Sequence, residues 1–222
     1  MPELPEIALY KQYVDSTALH KKVTELSFPD AGLLQAPKKD FEKALSGEEL
    51  EETKRLGKYL LIKISGGKWL VLHFGMTGKL EYYQNQETPK YTKMLLSFEN
   101  GYHLAYSCRR KLGKIFLAEG FEEFQKAHEL GPDALELSEK QFLKLLEDKG
   151  GSIKGALTDQ HLLSGIGNVY SDEMLYQCKI HPKSKTDKLP ETEKKDLYKK
   201  MKKVLKMAID KDGERSEFPE DY

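Results

Sequence analysis

The pattern of apolar residues changes after about residue 19 of this 222-residue chain and again near Leu130-Gly131-Pro132-Asp133. Before this point, short apolar runs alternate with turn residues such as Gly66-Gly67 and Asn100-Gly101. After it, apolar residues recur at helical spacing. Gly-Pro is a frequent break between elements. The sequence therefore predicts an α+β chain with two domains, residues 1–130 rich in β-structure and residues 131–222 all helical.

The first domain is predicted to be one helix followed by an antiparallel sandwich or barrel. Apolar residues recur at helical spacing over residues 5–19, and short strands with hairpin-like turns follow. Asn100-Gly101 is the best hairpin signal among these turns. The predicted strands are residues 23–28, 59–64, 69–74, 94–98, 102–106 and 115–117. The predicted helices of the second domain are residues 138–148, 153–159, 169–178 and 191–210.

Composition indicates a globular protein without membrane spans, but it does not identify a binding partner. The 36 basic and 36 acidic side chains cancel, so net charge does not favour a polyanionic partner. Lysines outnumber acids locally, 11 to four in residues 179–206, where a solvated helix face is the simplest interpretation. No apolar run is long enough to span a membrane, and the N-terminus is not a signal peptide, so we expect a cytoplasmic protein. Cys108 and Cys178 have no zinc-site spacing.

The first six residues, Met-Pro-Glu-Leu-Pro-Glu, combine a nucleophile with two acids. Removal of Met1 leaves Pro2 with a free secondary amine, whereas Pro2 behind Met1 is an unreactive tertiary amide. A free amine can attack an aldehyde-like carbon and form an iminium ion, and Glu3 and Glu6 are close in sequence to transfer protons. A plain helix start is the alternative, since Pro5 suits a first helical residue and Glu6 suits the positive end of the helix dipole.

A second candidate site is the glycine-containing turn of residues 159–170, with Gly165, Gly167 and Asn168 before a predicted helix. Glycines allow close backbone approach, and free N–H groups at a helix start form an anion site suited to phosphate. A simple connection between helices is the alternative interpretation of this turn.

Four separated motifs occur in an order that is specific when taken together. They are MPELPE at the start, GKYLL at residues 57–61, HFGMTGKL at residues 73–80 and SGIGNVYSDEMLYQCKIHP at residues 164–182. Over nearly the whole chain they resemble the formamidopyrimidine-DNA glycosylase and endonuclease VIII family. The resemblance implies an N-terminal helix plus antiparallel β-sandwich domain, then a helix-two-turn-helix domain, with DNA held in the cleft between them.

The activity that the resemblance implies is DNA repair. A member of this family removes oxidised bases by base flipping and Schiff-base chemistry, and cleaves the resulting abasic site by β- or β,δ-elimination. Its partner is double-stranded DNA with oxidised bases or abasic sites, it needs no organic cofactor, and we expect a monomer at the bacterial nucleoid with no membrane association. A protein that binds damaged or undamaged duplex DNA without catalysis is the alternative.

Site residues follow from the resemblance position by position. Pro2 is the expected nucleophile, Glu3 protonates the deoxyribose ring oxygen, and Glu6 orients the site. Expected contacts to DNA phosphates come from Lys58, Lys154, Gly167 and Asn168. The residues expected to face or fill the gap left by the flipped base are His73, Met76, Arg110, Lys111 and Leu112. For Met76 the alternative is an ordinary core position.

Two departures from the family pattern accompany the resemblance. Leu112 stands where the family has an aromatic wedge, and leucine stacks less well on bases, which affects the expected preference for the opposite base. The family commonly continues into a zinc-finger hairpin with four cysteines, whereas this sequence ends at Phe218-Pro219-Glu220-Asp221-Tyr222. We therefore predict no metal site in this sequence, from truncation or from membership of a finger-less branch.

Overall fold

The computed structural model describes residues 1–147 and 149–211, and the chain divides into two compact units. The β unit contains Met1–Pro2, Tyr10–Arg55 and Tyr59–Phe124. The helical unit contains Glu3–Leu9, Leu56–Lys58 and Gln125–Tyr222. The last residue of the predicted helix 138–148 and the C-terminal residues 212–222 lie outside the described residues. The predicted α+β fold class is confirmed.

The β unit holds two four-stranded sheets, with strand orders β1-β6-β7-β5 and β2-β3-β4-β8. The strands are β1 (Val23–Ser27), β2 (Leu50–Leu56), β3 (Tyr59–Ile64), β4 (Trp69–His73), β5 (Gly78–Tyr83), β6 (Thr92–Phe98), β7 (His103–Cys108) and β8 (Lys114–Ala118). The helices that lie wholly or partly in this unit are α1 (Leu4–Thr17), α2 (Lys38–Leu45) and α3 (Phe121–Ala127). The pairings β1-β6, β3-β4, β4-β8, β5-β7 and β6-β7 are antiparallel.

The hairpin between β6 and β7 forms where the sequence predicts it. Phe98 N–H donates to the Tyr102 carbonyl at 2.9 Å, and Gly101 adopts a φ of +78°, which glycine tolerates without strain. Strands β2 and β5 are absent from the sequence prediction. β2 has only three buried residues in seven and does not alternate, so it lacks the period-2 signal.

Buried aromatic residues join the two sheets. Tyr106 in β7 is fully buried and its hydroxyl donates to the backbone carbonyl of His73 in β4 at 2.9 Å. Its ring meets that of Phe74 edge to face at 5.5 Å, and Tyr10 from α1 stacks on Phe74 at 4.3 Å. This chain of rings fixes the end of β4, from which the HFGMTGKL segment continues.

The helical unit is built from amphipathic helices around a single apolar core. Its helices are α4 (Glu139–Glu147), α5 (Ile153–Thr158), α6 (Asn168–Gln177) and α7 (Glu191–Asp210). Leu4 of the N-terminal segment belongs to the same core. The interpretation of residues 179–206 as a solvated face is wrong for Lys194, which is buried and donates to the Leu146 carbonyl. No helix within residues 1–147 and 149–211 is long and apolar enough to cross a bilayer.

Substitution of Tyr106 by phenylalanine should destabilise the β unit. The change removes a buried hydrogen bond, and we expect a loss of about 1 kcal/mol in the free energy of unfolding at pH 7, measured in urea. The matched control is Tyr102→Phe, because the Tyr102 ring stacks on Tyr82 and its hydroxyl makes no hydrogen bond within the described part of the chain. Equal stability of the two variants would contradict the proposed role of Tyr106.

The same variant has a defined pH dependence. Burial raises the pKa of Tyr106 above its ordinary value. Above pH of about 10 the unfolded chain therefore releases this proton while the folded chain retains it, and stability falls as pH rises. The difference in unfolding free energy between wild type and Tyr106→Phe should therefore shrink as the pH rises from about 9 to about 11, the range that spans the ordinary pKa of a phenol.

Candidate active site

The carboxylate of Glu3 caps the first turn of α6. It accepts hydrogen bonds from the N–H groups of Gly167 at 2.6 Å, Val169 at 3.0 Å and Tyr170 at 3.4 Å. The Glu3 side chain is 0% exposed. Backbone donors at a helix N-terminus, together with the helix dipole, stabilise a negative charge there. A carboxylate 164 residues away in sequence thus satisfies donors that α6 cannot satisfy internally.

The glycine turn before α6 is shaped to accept the N-terminal segment. A Cβ atom at residue 167 would lie 2.4 Å from Cδ of Glu3, and one at residue 165 would lie 2.5 Å from Cδ1 of Leu4. Gly165 has a φ of +113°, and its carbonyl accepts the Leu4 N–H at 3.0 Å. The anion at this helix start is therefore Glu3, which corrects the interpretation of these N–H groups as free donors for phosphate.

Glu6 and Tyr170 complete the fixation of the N-terminal segment. One Glu6 oxygen accepts the backbone N–H of Glu3 at 2.8 Å, and the other accepts the Tyr170 hydroxyl at 2.9 Å. Tyr170 is buried in the helical unit. Because the Glu3 N–H belongs to the peptide that joins it to Pro2, Glu6 and Tyr170 hold the residue beside the predicted nucleophile. The helix start is confirmed as well, since α1 begins at Leu4 with Glu6 in its first turn, and both acids have hydrogen-bond partners there.

Lys58 follows a tight turn that is held by the carboxylate of Asp133. Gly57 adopts a φ of +54° and its N–H donates to the Asp133 carboxylate at 2.7 Å. Burial lowers the pKa of Lys58 below its ordinary value, and the negative charge of Glu3 opposes that shift. Lys58 and Glu3 are therefore electrostatically coupled. Sequence reasoning missed both Asp133 and Tyr170, since their roles depend on partners far away in sequence.

In the β unit, Met76 and Leu112 are exposed apolar side chains on adjoining turns. They are 41% and 50% exposed, which excludes the core alternative for Met76. A Cβ atom at Gly75 would lie 2.4 Å from the backbone carbonyl oxygen of Leu112, so the two turns touch. Thr77 Oγ1 accepts the Arg110 N–H at 3.0 Å. The exposure of Met76 and Leu112 leaves both side chains available for contact with a partner.

The remaining predicted residues occupy several places. His73 ends β4 with its ring 5.0 Å from Tyr59. Lys111 forms an ion pair with Asp30 at 2.8 Å. In the helical unit, Lys154 on α5 pairs with Asp172 on α6 at 2.7 Å, and Asn168 is exposed at the first residue of α6. Gly167 is buried and its N–H donates to the Glu3 carboxylate. Its direct contact with DNA stays a prediction, and its burial does not favour that contact.

Two family models match the chain. The formamidopyrimidine-DNA glycosylase N-terminal domain matches residues 1–115, and the H2TH domain of the same enzymes matches residues 130–220. The chain belongs to the formamidopyrimidine-DNA glycosylase family. The second match includes the turn that seats Glu3, and the first includes Pro2, Met76 and Arg110.

Individual relatives agree with this assignment. The formamidopyrimidine-DNA glycosylase of Ligilactobacillus salivarius is 32% identical over 96% of this chain and 79% of its own length. The enzyme of Lactococcus lactis, solved bound non-covalently to DNA with an abasic site, superposes with a TM-score of 0.90 at 26% identity, covering 96% of this chain and 83% of its own. The same enzyme with Fapy-dG DNA gives a TM-score of 0.88 at 26% identity, covering 94% and 80%.

The zinc site that is common in this family has no matching ligand set in the part of the chain that the structure describes. Residues 1–147 and 149–211 contain no group of three or more His, Cys, Asp or Glu side chains arranged to hold a metal ion. Cys108 is buried in β7, and burial raises the pKa of Cys178 to about 11, so that this thiol is protonated at neutral pH. Neither cysteine is placed for metal binding.

Substitution of Gly167 by alanine should disrupt the seat of Glu3. The added Cβ meets a buried carboxylate, so we expect a loss of about 2–3 kcal/mol in the free energy of unfolding, from overpacking and from a lost charge-assisted hydrogen bond. Gly150→Ala is the control, because a Cβ at residue 150 meets nothing within 4 Å. Urea unfolding of both variants measures the difference. Similar stability of the two would show that the cap does not require a glycine.

Proposed function

We propose that this chain is a DNA repair glycosylase that removes oxidised bases from duplex DNA and cleaves the strand at the resulting abasic site. Its membership of the formamidopyrimidine-DNA glycosylase family supports this activity. The single observation that carries the proposal is the fixation of Glu3, the residue bonded to Pro2, by the first turn of α6.

The nucleophile in the proposed reaction is the secondary amine of Pro2 after removal of Met1. Its nitrogen attacks C1′ of the damaged nucleotide, and the bond from C1′ to the base breaks as the base leaves with a proton. Opening of the sugar ring then gives a cationic Schiff base between Pro2 and C1′. Loss of a proton from C2′ and departure of the 3′ phosphate cleave the strand by β-elimination, and a second elimination gives the β,δ products.

Glu3 and Glu6 have different parts in this scheme. We assign Glu3 to proton transfer at the deoxyribose ring oxygen, because the residue is adjacent to Pro2 and its carboxylate is held in one orientation. Glu6 is assigned to positioning, since it holds the Glu3 N–H and is itself held by Tyr170. Lys58 is coupled to Glu3 by charge and is assigned to a phosphate beside the lesion.

Contacts to DNA are assigned to residues of each unit. Lys154 and Asn168 in the helical unit are proposed to contact phosphates, which adds affinity without sequence preference. In the β unit, the exposed apolar side chains of Met76 and Leu112 are proposed to fill the gap left when the damaged nucleotide flips out. Arg110, on the same turn as Leu112, would face the unpaired base.

The substrate class follows from the relatives. The Lactococcus lactis enzyme has been solved with DNA containing Fapy-dG and with DNA containing an abasic site. We therefore propose a ring-opened purine as the first substrate to test, with oxidised pyrimidines beside it. The bacterial relatives support a place at the bacterial chromosome, and we propose that the chain acts there as a monomer and without an organic cofactor.

A strand-cleavage assay tests the proposed function. Protein whose intact mass shows that it begins at Pro2 is mixed with a labelled duplex that carries one ring-opened guanine, or one abasic site. We expect cleavage of both duplexes, and a rate lower by about a hundredfold or more in Pro2→Gly, because the nucleophile is altered. Tight binding to the same duplexes without cleavage by the wild type would instead support a non-catalytic DNA-binding protein.

Substitution of Tyr170 by phenylalanine tests the positioning role of Glu6. The variant keeps the buried ring but loses the hydrogen bond to the Glu6 carboxylate, and we expect the single-turnover rate of cleavage to fall about tenfold with little change in DNA affinity. Tyr198→Phe is the control, because it removes another tyrosine hydroxyl of the helical unit, one that donates to the Leu137 carbonyl. An equal fall in both variants would indicate a general loss of stability.

A further inference from the structure

Asp30 is the acid of a three-residue ionic cluster in the β unit. Its Oδ2 atom accepts the Nζ of Lys93 at 2.7 Å and the Nζ of Lys111 at 2.8 Å, and its Oδ1 atom accepts the Gly32 N–H at 3.1 Å. The three groups come from separate parts of the chain, namely the segment after β1, strand β6 and the turn after β7. One carboxylate thus links two strand regions to the turn that carries Arg110.

The two lysines of the cluster differ in exposure. The Lys93 side chain is 7% exposed, whereas that of Lys111 is 64% exposed. A buried ammonium group is costly without a counter-charge, so the pair with Asp30 stabilises Lys93. The exposed Lys111 pairs with the same carboxylate oxygen of Asp30. The buried pair of Asp30 and Lys93 therefore forms the fixed side of the cluster, and Lys111 connects this pair to the turn.

The turn of residues 109–112 needs such an anchor. Lys111 adopts a left-handed backbone with a φ of +52°, a conformation that residues other than glycine rarely hold without support. Its neighbour Arg110 is tied to Thr77 through a backbone hydrogen bond. Leu112 on the other side is exposed. The Lys111 N–H donates to the Cys108 carbonyl at 3.4 Å, and the ion pair with Asp30 adds a side-chain contact in the middle of this turn.

We propose that Asp30 is a positioning residue that holds the 109–112 turn through Lys111 and thereby sets the preference of the enzyme for the base opposite the lesion. This inference rests on the proposed function for Arg110 and Leu112. Both lysines lower the pKa of Asp30 below its ordinary value, so its carboxylate stays charged wherever the enzyme is active. The cluster as a whole is cationic, which leaves Lys111 able to contact a phosphate of the opposite strand.

Hydrogen exchange tests the anchor without any assumption about activity. We expect Asp30→Asn to exchange the amides of residues 109–113 about threefold to tenfold faster than wild type, while the rest of the β unit is unchanged. The double variant Asp30→Asn, Lys93→Met should show the same acceleration without leaving a buried unpaired ammonium. Glu119→Gln is the matched control, since it removes the acid of an exposed ion pair with Lys68 at the same distance of 2.8 Å. Unchanged exchange in both Asp30 variants would overturn the proposal.

Opposite-base preference tests the consequence. The ratio of cleavage rates for a ring-opened guanine opposite cytosine and opposite adenine should fall about threefold to tenfold in both Asp30 variants and stay within twofold in Glu119→Gln. In a Lys111→Met background, Asp30→Asn should have no further effect on the ratio, because Asp30 acts through Lys111. A ratio that is unchanged in both Asp30 variants, or that falls equally in the Lys111→Met background, would overturn the proposal.

If the wild type cleaves no lesion, the proposed function fails and the preference is measured by binding instead. The affinities for a duplex with an abasic-site analogue opposite cytosine and opposite adenine, determined by fluorescence anisotropy, then take the place of the two rates. The same threefold to tenfold fall in the ratio is expected in the Asp30 variants, on the order of one coupled side-chain contact. An unchanged affinity ratio would overturn the proposal in this case too.

Discussion

A carboxylate without water around it must be surrounded by donors, and in this molecule those donors are the first N–H groups of a helix. Glu3 accepts from Gly167, Val169 and Tyr170, and the α6 helix gains a cap from the opposite end of the sequence. Only glycine at residue 167 leaves space for this contact. Because Pro2 is covalently next to Glu3, the cap also restricts the position of the proposed nucleophile.

The charges of this chain matter through individual ion pairs, which the zero net charge does not show. With equal numbers of acidic and basic residues it has no net attraction for DNA. Individual charges are nevertheless paired in specific ways: Lys154 with Asp172, Lys111 with Asp30, and Lys58 coupled to Glu3. On binding DNA, a phosphate can replace the exposed Asp172 in the first of these pairs. Exchange of a carboxylate for a DNA phosphate depends on the position of the lysine, whereas long-range attraction would depend on net charge.

The sequence was informative where a signal is local and uninformative where it is not. Helical spacing predicted α6 and α7 to within a residue, the α+β fold class was confirmed, and four motifs led to the family that the comparisons confirm. Strand β2 was missed because its buried residues, Leu50, Thr53 and Leu56, recur at every third position and do not alternate. No local pattern could show that Glu3 caps α6, that Tyr170 holds Glu6 or that Asp30 binds Lys111, since each pair is distant in sequence. The individual site roles stay predictions.

The most direct measurement is to locate the covalent adduct on the protein. Abasic-site DNA is trapped with borohydride on the wild type, the complex is digested, and the modified peptide is identified by mass spectrometry. We expect the reduced sugar on the nitrogen of Pro2 in the N-terminal peptide. Lys58 is the informative rival, because burial lowers its pKa and its amine is electrostatically coupled to Glu3. An adduct on Lys58, with the N-terminal peptide unmodified, would show that Pro2 is not the nucleophile.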